Sequence, residues 1–265
     1  MRDRYAVVGN PVAHSRSPQI HAEFARATGQ DLEYGRIEAP LDGFERTVEE
    51  FRGQGGKGLN VTVPFKQAAF RYCRKASRRA QAAQVVNTLV LSGSEIFGDA
   101  TDGVGLVNDL TRNLGFQLVQ KSLLLMGAGG AAQGVLQALL DAGVSRLVVA
   151  NRTLSRARTL AARHGVEACG YDGLQGQSFD IVVNATSAGL ANEAPKLPVS
   201  AFKSGALAYD MLYGRDTPFL AQARSAGARA VDGLGMLAEQ AAESFFNWRG
   251  VRPDTRAVLA GLRGG

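Results

Sequence analysis

Residues 122–134, SLLLMGAGGAAQG, decide the fold of this chain. The apolar run before the glycines predicts a strand, the glycines predict a tight turn, and the apolar residues after them predict a helix. Gly127, Gly129 and Ala132 have the spacing G-x-G-x-x-A, which lets backbone amides approach a pyrophosphate at a helix N-terminus. A bare glycine turn is the alternative interpretation, and the strand–turn–helix context favours a dinucleotide site.

The residues after the next predicted strand indicate which dinucleotide is bound. That strand ends at Ala150 and is followed by Asn151, Arg152 and Thr153, with Arg156 one turn later. NAD sites usually place an acidic residue there to accept a hydrogen bond from the ribose 2′-hydroxyl, and this chain has none. Guanidinium groups suit a 2′-phosphate, so the sequence predicts NADP. The alternative is that both arginines are solvated residues at a helix start.

Strand-like and helix-like segments alternate on both sides of this stretch, which predicts an α/β fold with parallel, doubly wound sheets. A hairpin is predicted around Ser92-Gly93, and a domain boundary is expected near residue 101, just after it. The last helices, Met236–Trp248 and Arg256–Leu262, are expected to return to the first domain. The predicted strands cover residues 5–8, 32–37, 59–63, 88–91, 96–99, 122–126, 147–150, 181–184, 207–211 and 228–231.

Composition excludes several classes of protein. Hydrophobic residues make up 45% of the 265 residues and charged residues 20%, which is typical of a globular protein and excludes a largely disordered one. The apolar runs are too short to span a bilayer, and the N-terminal residues lack the apolar segment of a signal peptide. Cys73 and Cys169 lack the spacing of metal ligands, so we expect no metal site and a cytoplasmic location.

The net charge of +6 allows two interpretations: a nucleic-acid partner, or a solvated basic surface. The basic residues are scattered, and the densest cluster, Arg71–Arg79, has few aromatic residues on which bases could stack. We therefore expect no nucleic-acid partner and no membrane partner.

Polar residues follow several predicted strands of the first domain, where ligands bind in open α/β sheets. Ser15 and Ser17 stand at a helix start, where they can hold a carboxylate or simply cap the helix, with Ser17 as N-cap. Asn60, Thr62 and Lys66 follow a strand in the same way. Further polar residues at element ends are Asn87, Thr101 and Asp102.

Taken in order, these segments resemble the shikimate dehydrogenase family. They read GNPVAHSRSPQIH (9–21), LNVTVPFK (59–66), VVNTL (85–89), GDATDGVG (98–105), MGAGGAAQG (126–134), NRTLSRA (151–157), VNATSAG (183–189), YDMLY (209–213) and DGLGMLAEQAAESFFNW (232–248). The resemblance implies reversible, NADP-linked reduction of 3-dehydroshikimate to shikimate. It implies an N-terminal substrate domain (1–101), a C-terminal Rossmann-like NADP-binding domain (102–235) and terminal helices (236–265) that pack on the substrate domain. A monomer or a homodimer is expected.

The resemblance also implies roles for individual residues. Lys66 and Asp102 match the catalytic pair, which would move a proton to the substrate oxygen; a salt bridge joining the domains is the alternative. The residues expected to bind substrate are Ser15, Ser17, Asn60, Thr62, Lys66, Asn87, Thr101, Asp102, Tyr213 and Gln240. Those expected to bind NADP are Gly127, Ala128, Gly129, Gly130, Ala131, Asn151, Arg152, Thr153, Arg156, Thr186, Met211, Gly235 and Met236.

The chain departs from the family pattern at Ala100, where Asn is usual, and at Gln133, where Arg is common. Two other functions are therefore considered: a broader quinate and shikimate dehydrogenase that accepts NAD, and a non-catalytic regulatory or nucleic-acid-binding paralog. The absence of an acidic residue near Arg152 argues against NAD. Retention of both Lys66 and Asp102 argues against a paralog without activity.

Overall fold

The first structural unit joins the two ends of the chain. The computed structural model describes residues 2–93 and 95–264, and its contacts separate one unit, Met1–Gly105 with Leu237–Gly265, from a second unit, Leu106–Met236. These divisions fall slightly later in the chain than the predicted boundaries after residues 101 and 235. Both lie inside helices, so neither connection is an extended linker.

The sheet of the first unit has the strand order β2-β1-β3-β5-β6-β4. Its strands are Asp3–Gly9 (β1), Leu32–Glu38 (β2), Gly56–Val61 (β3), Lys75–Ala76 (β4), Thr88–Ser92 (β5) and Glu95–Asp99 (β6). Its helices from the N-terminal part of the chain are Ser17–Thr28 (α1), Phe44–Gly53 (α2), Lys66–Tyr72 (α3), Arg78–Ala83 (α4) and Asp102–Asn108 (α5), whose last three residues belong to the second unit.

The predicted α/β fold is confirmed, but this first sheet is mixed rather than wholly parallel. β1 pairs in parallel with β2 and β3, whereas β5 is antiparallel to both β3 and β6. The reason is the predicted hairpin: two residues between β5 and β6 are enough to join antiparallel strands, while parallel strands need a long crossover.

The second unit holds a fully parallel sheet with the order β12-β11-β10-β7-β8-β9. Its strands are Ser122–Met126 (β7), Arg146–Ala150 (β8), Glu167–Cys169 (β9), Phe179–Asn184 (β10), Phe202–Asp210 (β11) and Arg229–Asp232 (β12). Its helices are Gly130–Asp141 (α6), Leu154–His164 (α7) and Pro218–Ser225 (α8). The order reverses between β7 and β10, and ligands of doubly wound sheets bind at such a point.

Core residues cover both faces of this parallel sheet. Leu123 and Leu125 of β7 belong to one buried cluster, and Leu124 and Met126 to another. Because both faces are buried, the strand reads as a continuous apolar run rather than an alternating one.

Two helices cross from one unit to the other. α5 continues into a π-helical turn, Asp109–Asn113, and Leu234–Arg249 (α9) begins in the second unit and ends in the first. The chain ends with Thr255–Gly264 (α10). Among the residues that the structure describes, no helix is long and apolar enough to cross a membrane.

Helix α1 starts differently from the prediction. Arg16, not Ser17, occupies the N-cap position, and Ser17 is the first helical residue. The Ser15 hydroxyl instead accepts a hydrogen bond from the Ser17 amide at 3.3 Å. The serine before the N-cap therefore satisfies an amide that the helix leaves without a partner.

Candidate active site

A shielded ion pair joins the first residues of two helices in the first unit. Lys66 opens α3 and Asp102 opens α5, and Lys66 Nζ lies 2.5 Å from Asp102 Oδ2. The two side chains are only 14% and 7% exposed. The pair is thus a short, charge-assisted hydrogen bond with limited access to water, which makes it stronger than an exposed ion pair.

The Asn87 side chain gathers the residues around this pair. Asn87 Nδ2 lies 2.9 Å from Thr101 Oγ1, 3.1 Å from Asp102 Oδ1 and 3.2 Å from Gln240 Oε1. Asn87 Oδ1 accepts a hydrogen bond from the Thr101 amide at 2.7 Å. Since an amide nitrogen has two hydrogens, at most two of the three acceptors are bonded at once, and one keeps capacity for another donor. The structure therefore brings together Lys66, Asn87, Thr101, Asp102 and Gln240.

Asn60 connects this network to Tyr34 and Ser244. Its Oδ1 accepts a hydrogen bond from the Tyr34 hydroxyl at 2.7 Å, and its Nδ2 donates to Ser244 Oγ at 2.9 Å. Ser244 Oγ also lies 3.2 Å from Thr101 Oγ1 and donates to the Gln240 carbonyl. Sequence reasoning missed Ser244. The available signal was a small polar residue one turn after Gln240, on a helix face that is otherwise apolar.

The His21 ring lies in an aromatic environment next to Tyr34, the residue that donates to Asn60. The ring stacks on Tyr34 with centroids 4.2 Å apart and packs edge-on against Phe24 and obliquely against Trp248. Burial lowers the pKa of His21 to about 3, which keeps the ring neutral at physiological pH. His21 therefore supports the Tyr34–Asn60 contact without adding charge to the site.

Ser15 and Ser17 form a second polar group in the first unit. Both are buried, their hydroxyl oxygens are 3.1 Å apart, and the Arg36 guanidinium donates two hydrogen bonds to the Ser15 carbonyl. Thr62 lies on the loop after β3, where its methyl group would be 2.4 Å from a Cβ at Gly9, so this close approach requires glycine. The described hydrogen bonds do not connect either serine to the Lys66–Asp102 network.

The glycine loop after β7 leaves the N-terminus of α6 open. Gly127 has φ +106, and a Cβ there would lie 3.0 Å from the Ala185 carbonyl oxygen, so both conformation and space require glycine. Gly129 is the N-cap of α6, and a Cβ placed on it would meet nothing within 4 Å. Ala128, Gly130 and Ala131 complete the loop and the start of the helix. The first amides of a helix have no partner within the helix, so this glycine-lined helix start suits a phosphate group.

The segment after β8 presents positive charge at the surface. Arg152 and Arg156 are exposed, and neither forms an ion pair with any residue that the structure describes. The Asn151 side chain donates to the Thr153 carbonyl at 2.9 Å, which holds the turn before α7. Two unpaired guanidinium groups after β8 fit a 2′-phosphate.

The remaining predicted residues lie at strand ends of the second unit. Thr186 follows β10 and donates from its hydroxyl to Asn184 Oδ1 at 2.7 Å, and Met211 follows β11 with its amide bonded to the Asn184 carbonyl. Gly235 and Met236 lie in the first turn of α9. Tyr213 also belongs to the second unit, unlike the other predicted substrate residues.

Comparison with protein-family models gives three matches along the chain. Residues 7–89 match the shikimate dehydrogenase substrate binding domain, residues 109–193 match shikimate/quinate 5-dehydrogenase, and residues 233–263 match the shikimate 5′-dehydrogenase C-terminal domain.

Individual proteins match over nearly the full length. The shikimate dehydrogenase (NADP(+)) of Aromatoleum aromaticum is 57% identical, covering 98% of this chain and 97% of the relative. The crystal structure of an Ael1 enzyme from Pseudomonas putida has a TM-score of 0.91 and 50% identity, covering 98% of each chain. Shikimate 5-dehydrogenase from Thermus thermophilus, solved in complex with NADP(H) and shikimate, has a TM-score of 0.89 and 35% identity, covering 99% of each chain. With three family models matched in order and relatives above 50% identity over its whole length, the chain belongs to the shikimate dehydrogenase family.

Proposed function

We propose that this chain is an NADP-linked oxidoreductase that reversibly reduces 3-dehydroshikimate to shikimate. The observation that carries the proposal is the shielded Lys66–Asp102 pair inside its network of amides and hydroxyls. The Aromatoleum relative is named for this activity, and the Thermus structure holds both NADP(H) and shikimate. The N-terminal unit is the substrate domain and the second unit is the NADP-binding domain. The predicted segments 1–101 and 236–265 form most of the substrate domain, and 102–235 forms most of the NADP-binding domain. Asp102 and Tyr213 of the latter segment serve the substrate, and Met236 serves the cofactor.

The substrate contacts follow from the chemistry of the side chains. Ser15 and Ser17 hold the carboxylate, because their hydroxyls lie together at the start of α1, where the helix dipole favours negative charge. Hydrogen bonds to the substrate hydroxyls come from the amides and hydroxyls of Asn60, Thr62, Asn87, Thr101, Tyr213 and Gln240.

Lys66 supplies the proton for reduction. Hydride addition to the ketone carbon leaves negative charge on its oxygen, and transfer of a proton from the Lys66 ammonium completes the alcohol. In the oxidation direction, neutral Lys66 takes that proton back. Asp102 Oδ2 holds Lys66 Nζ in place, while Asp102 Oδ1, bonded to Asn87, fixes the carboxylate plane.

The second unit has the groups that NADP requires. The amides of Gly127–Ala131 bind the pyrophosphate, and the residues after β8, Asn151, Arg152, Thr153 and Arg156, bind the adenosine 2′-phosphate. Thr186, Met211, Gly235 and Met236 line the nicotinamide. When bound, NADPH supplies the hydride, and the protein residues orient the ring and stabilise the charges. The lack of an acidic side chain after β8 favours NADP over NAD.

The test is a direct assay of the purified chain. We expect shikimate with NADP to produce NADPH, followed by its absorbance, with a lower kcat/KM when NAD replaces NADP or quinate replaces shikimate. A folded protein that binds NADPH but shows no turnover with shikimate would contradict the proposal and favour a non-catalytic ligand-binding role. Sedimentation analysis distinguishes the expected monomer from the expected homodimer.

A further inference from the structure

A buried carboxylate with no role assigned above lies in the second unit, against the first turn of α9. Asp109 is fully buried and opens the π-helical turn that follows α5. Its Oδ2 accepts a hydrogen bond from the Tyr209 hydroxyl at 2.6 Å, and its Oδ1 accepts one from Asn113 Nδ2 at 2.9 Å. Burial, reinforced by the nearby Asp109, raises the pKa of Tyr209 well above its usual value, so the phenol keeps its proton.

The Tyr209 hydroxyl also reaches the start of α9. It accepts a hydrogen bond from the Met236 amide at 3.3 Å, and the Leu234 amide donates to Asp232 Oδ1 at 3.4 Å. The first amides of a helix have no partner within the helix, so these side chains replace it. Tyr209 is therefore a cap for α9 supplied by strand β11.

Asp109 presses against the same turn of helix. A Cβ at Gly235 would lie 1.9 Å from Asp109 Oδ1 and 2.2 Å from Asp109 Cγ. Any larger residue at this position would displace the carboxylate or the helix backbone. Asp109 Oδ1 and the Tyr209 hydroxyl oxygen therefore determine where the backbone of Gly235 and Met236 can lie.

We propose that Asp109 and Tyr209 are positioning residues that hold the Gly235–Met236 backbone against the nicotinamide. The proposal rests on the proposed function, which places Gly235 and Met236 at that ring. Both positioning residues are fully buried, so they act through the helix backbone. Their effect is confined to the nicotinamide end, since the adenosine 2′-phosphate is bound by Arg152 and Arg156 on the segment after β8.

The test compares two ligands of the Tyr209→Phe variant, which loses one oxygen and keeps the ring. We expect Kd for NADPH, measured by nicotinamide fluorescence, to rise roughly three- to tenfold, as for loss of one hydrogen bond. Adenosine 2′,5′-bisphosphate lacks the nicotinamide. Its Kd should stay within about twofold of the wild-type value, because the hydrogen bond between the Met236 amide and Tyr209 does not position the groups that bind adenosine. The kcat of the variant should be roughly tenfold below that of the wild type, with KM for shikimate unchanged. The isotope effect on kcat, measured with shikimate deuterated at the oxidised carbon, should be larger in the variant than in the wild type.

Tyr72→Phe is the matched control, because Tyr72 donates to Glu49 at the surface of the first unit and lies outside the site. It should leave both dissociation constants and kcat unchanged. Asp109→Asn, which keeps the volume of the side chain, is the second variant should Tyr209→Phe fail to fold, and the same ligand comparison applies to it.

Equal weakening of both ligands, or no change in either, would overturn the positioning role. The binding comparison does not require turnover of shikimate. A wild-type protein that binds NADPH without oxidising shikimate therefore contradicts the proposed function, while the ratio of the two dissociation constants still decides the role of the pair. A wild-type protein that fails to bind NADPH overturns both.

Discussion

Replacing Lys66 with alanine tests the proton-transfer step most directly. The change removes an ammonium group that lies 2.5 Å from Asp102 Oδ2. A positioned acid contributes roughly 10²–10⁴-fold to rate, which is about 3–5 kcal/mol of barrier. Lys66→Ala should therefore lower kcat by at least about 100-fold. KM for shikimate should change much less, because the other hydroxyl and amide contacts remain.

The structure also limits the expected loss of stability. Asp102 keeps its hydrogen bond from Asn87 at 3.1 Å after Lys66 is removed, so the carboxylate is not left without a partner. The free energy of unfolding should fall by less than about 3 kcal/mol, the lower end for breaking a fully buried pair. A thermal melt then separates loss of the proton donor from loss of the fold.

The assay is steady-state kinetics of Lys66→Ala, Asp102→Ala and the double variant. The double loss in kcat should be smaller than the product of the single losses, because the two groups act as a unit. Lys203→Ala is the matched control: it breaks a Lys–Asp pair of 2.8 Å with Asp180 in the second unit and should leave kcat unchanged. A folded Lys66→Ala enzyme with near-normal kcat would remove Lys66 from the mechanism.

Arg152→Ala and Arg156→Ala should each weaken NADP binding by about 1.5–3 kcal/mol and NAD binding far less, measured by titration; equal losses for both cofactors would refute the 2′-phosphate assignment. Replacing Ser15 and Ser17 together with alanine should raise KM for shikimate strongly at constant NADP affinity, and an unchanged KM would leave the serines a helix-capping role only. His21 is neutral when folded and has a pKa of about 3 against 6.5 when unfolded, so its contribution to stability is fully present above pH 6.5 and is lost below it. Melting curves should show the wild type losing about 1.4 kcal/mol per pH unit more than His21→Phe as the pH falls from 6.5 towards 3; parallel curves would contradict a buried neutral ring.

The sequence predicts an element correctly where a single local pattern determines both its type and its ends. The predicted strand Ser122–Met126 has the bounds that the structure shows, because a run buried on both faces ends abruptly at a glycine. Glu167–Cys169 and Lys75–Ala76 were not predicted as strands, since edge strands of two or three residues are too short to show a period. The antiparallel placement of β5 against β3 depends on pairing across the sheet, which local patterns do not contain.

The candidate site divides in the same way. Motifs locate Lys66, Asp102 and the glycine loop because each stands beside a recognisable element end. Tyr34 and Ser244, which hold Asn60 from two sides, carry no motif, and Ser244 is separated from Asn60 by 184 positions. Such contacts result from tertiary packing, so sequence reasoning gives the reactive groups but not the residues that support them.

The assembly of the first unit from both ends of the chain sets an order for folding during synthesis. The second unit is continuous in sequence, so its sheet needs no residue made after Met236. The first unit is completed later, because Asn60, the Leu89 carbonyl and Asp3 find their partners in Ser244, Trp248 and Arg249, which follow the whole of the second unit in the chain. The N-terminal strands therefore reach their final packing only after the segment that follows Met236 has been made.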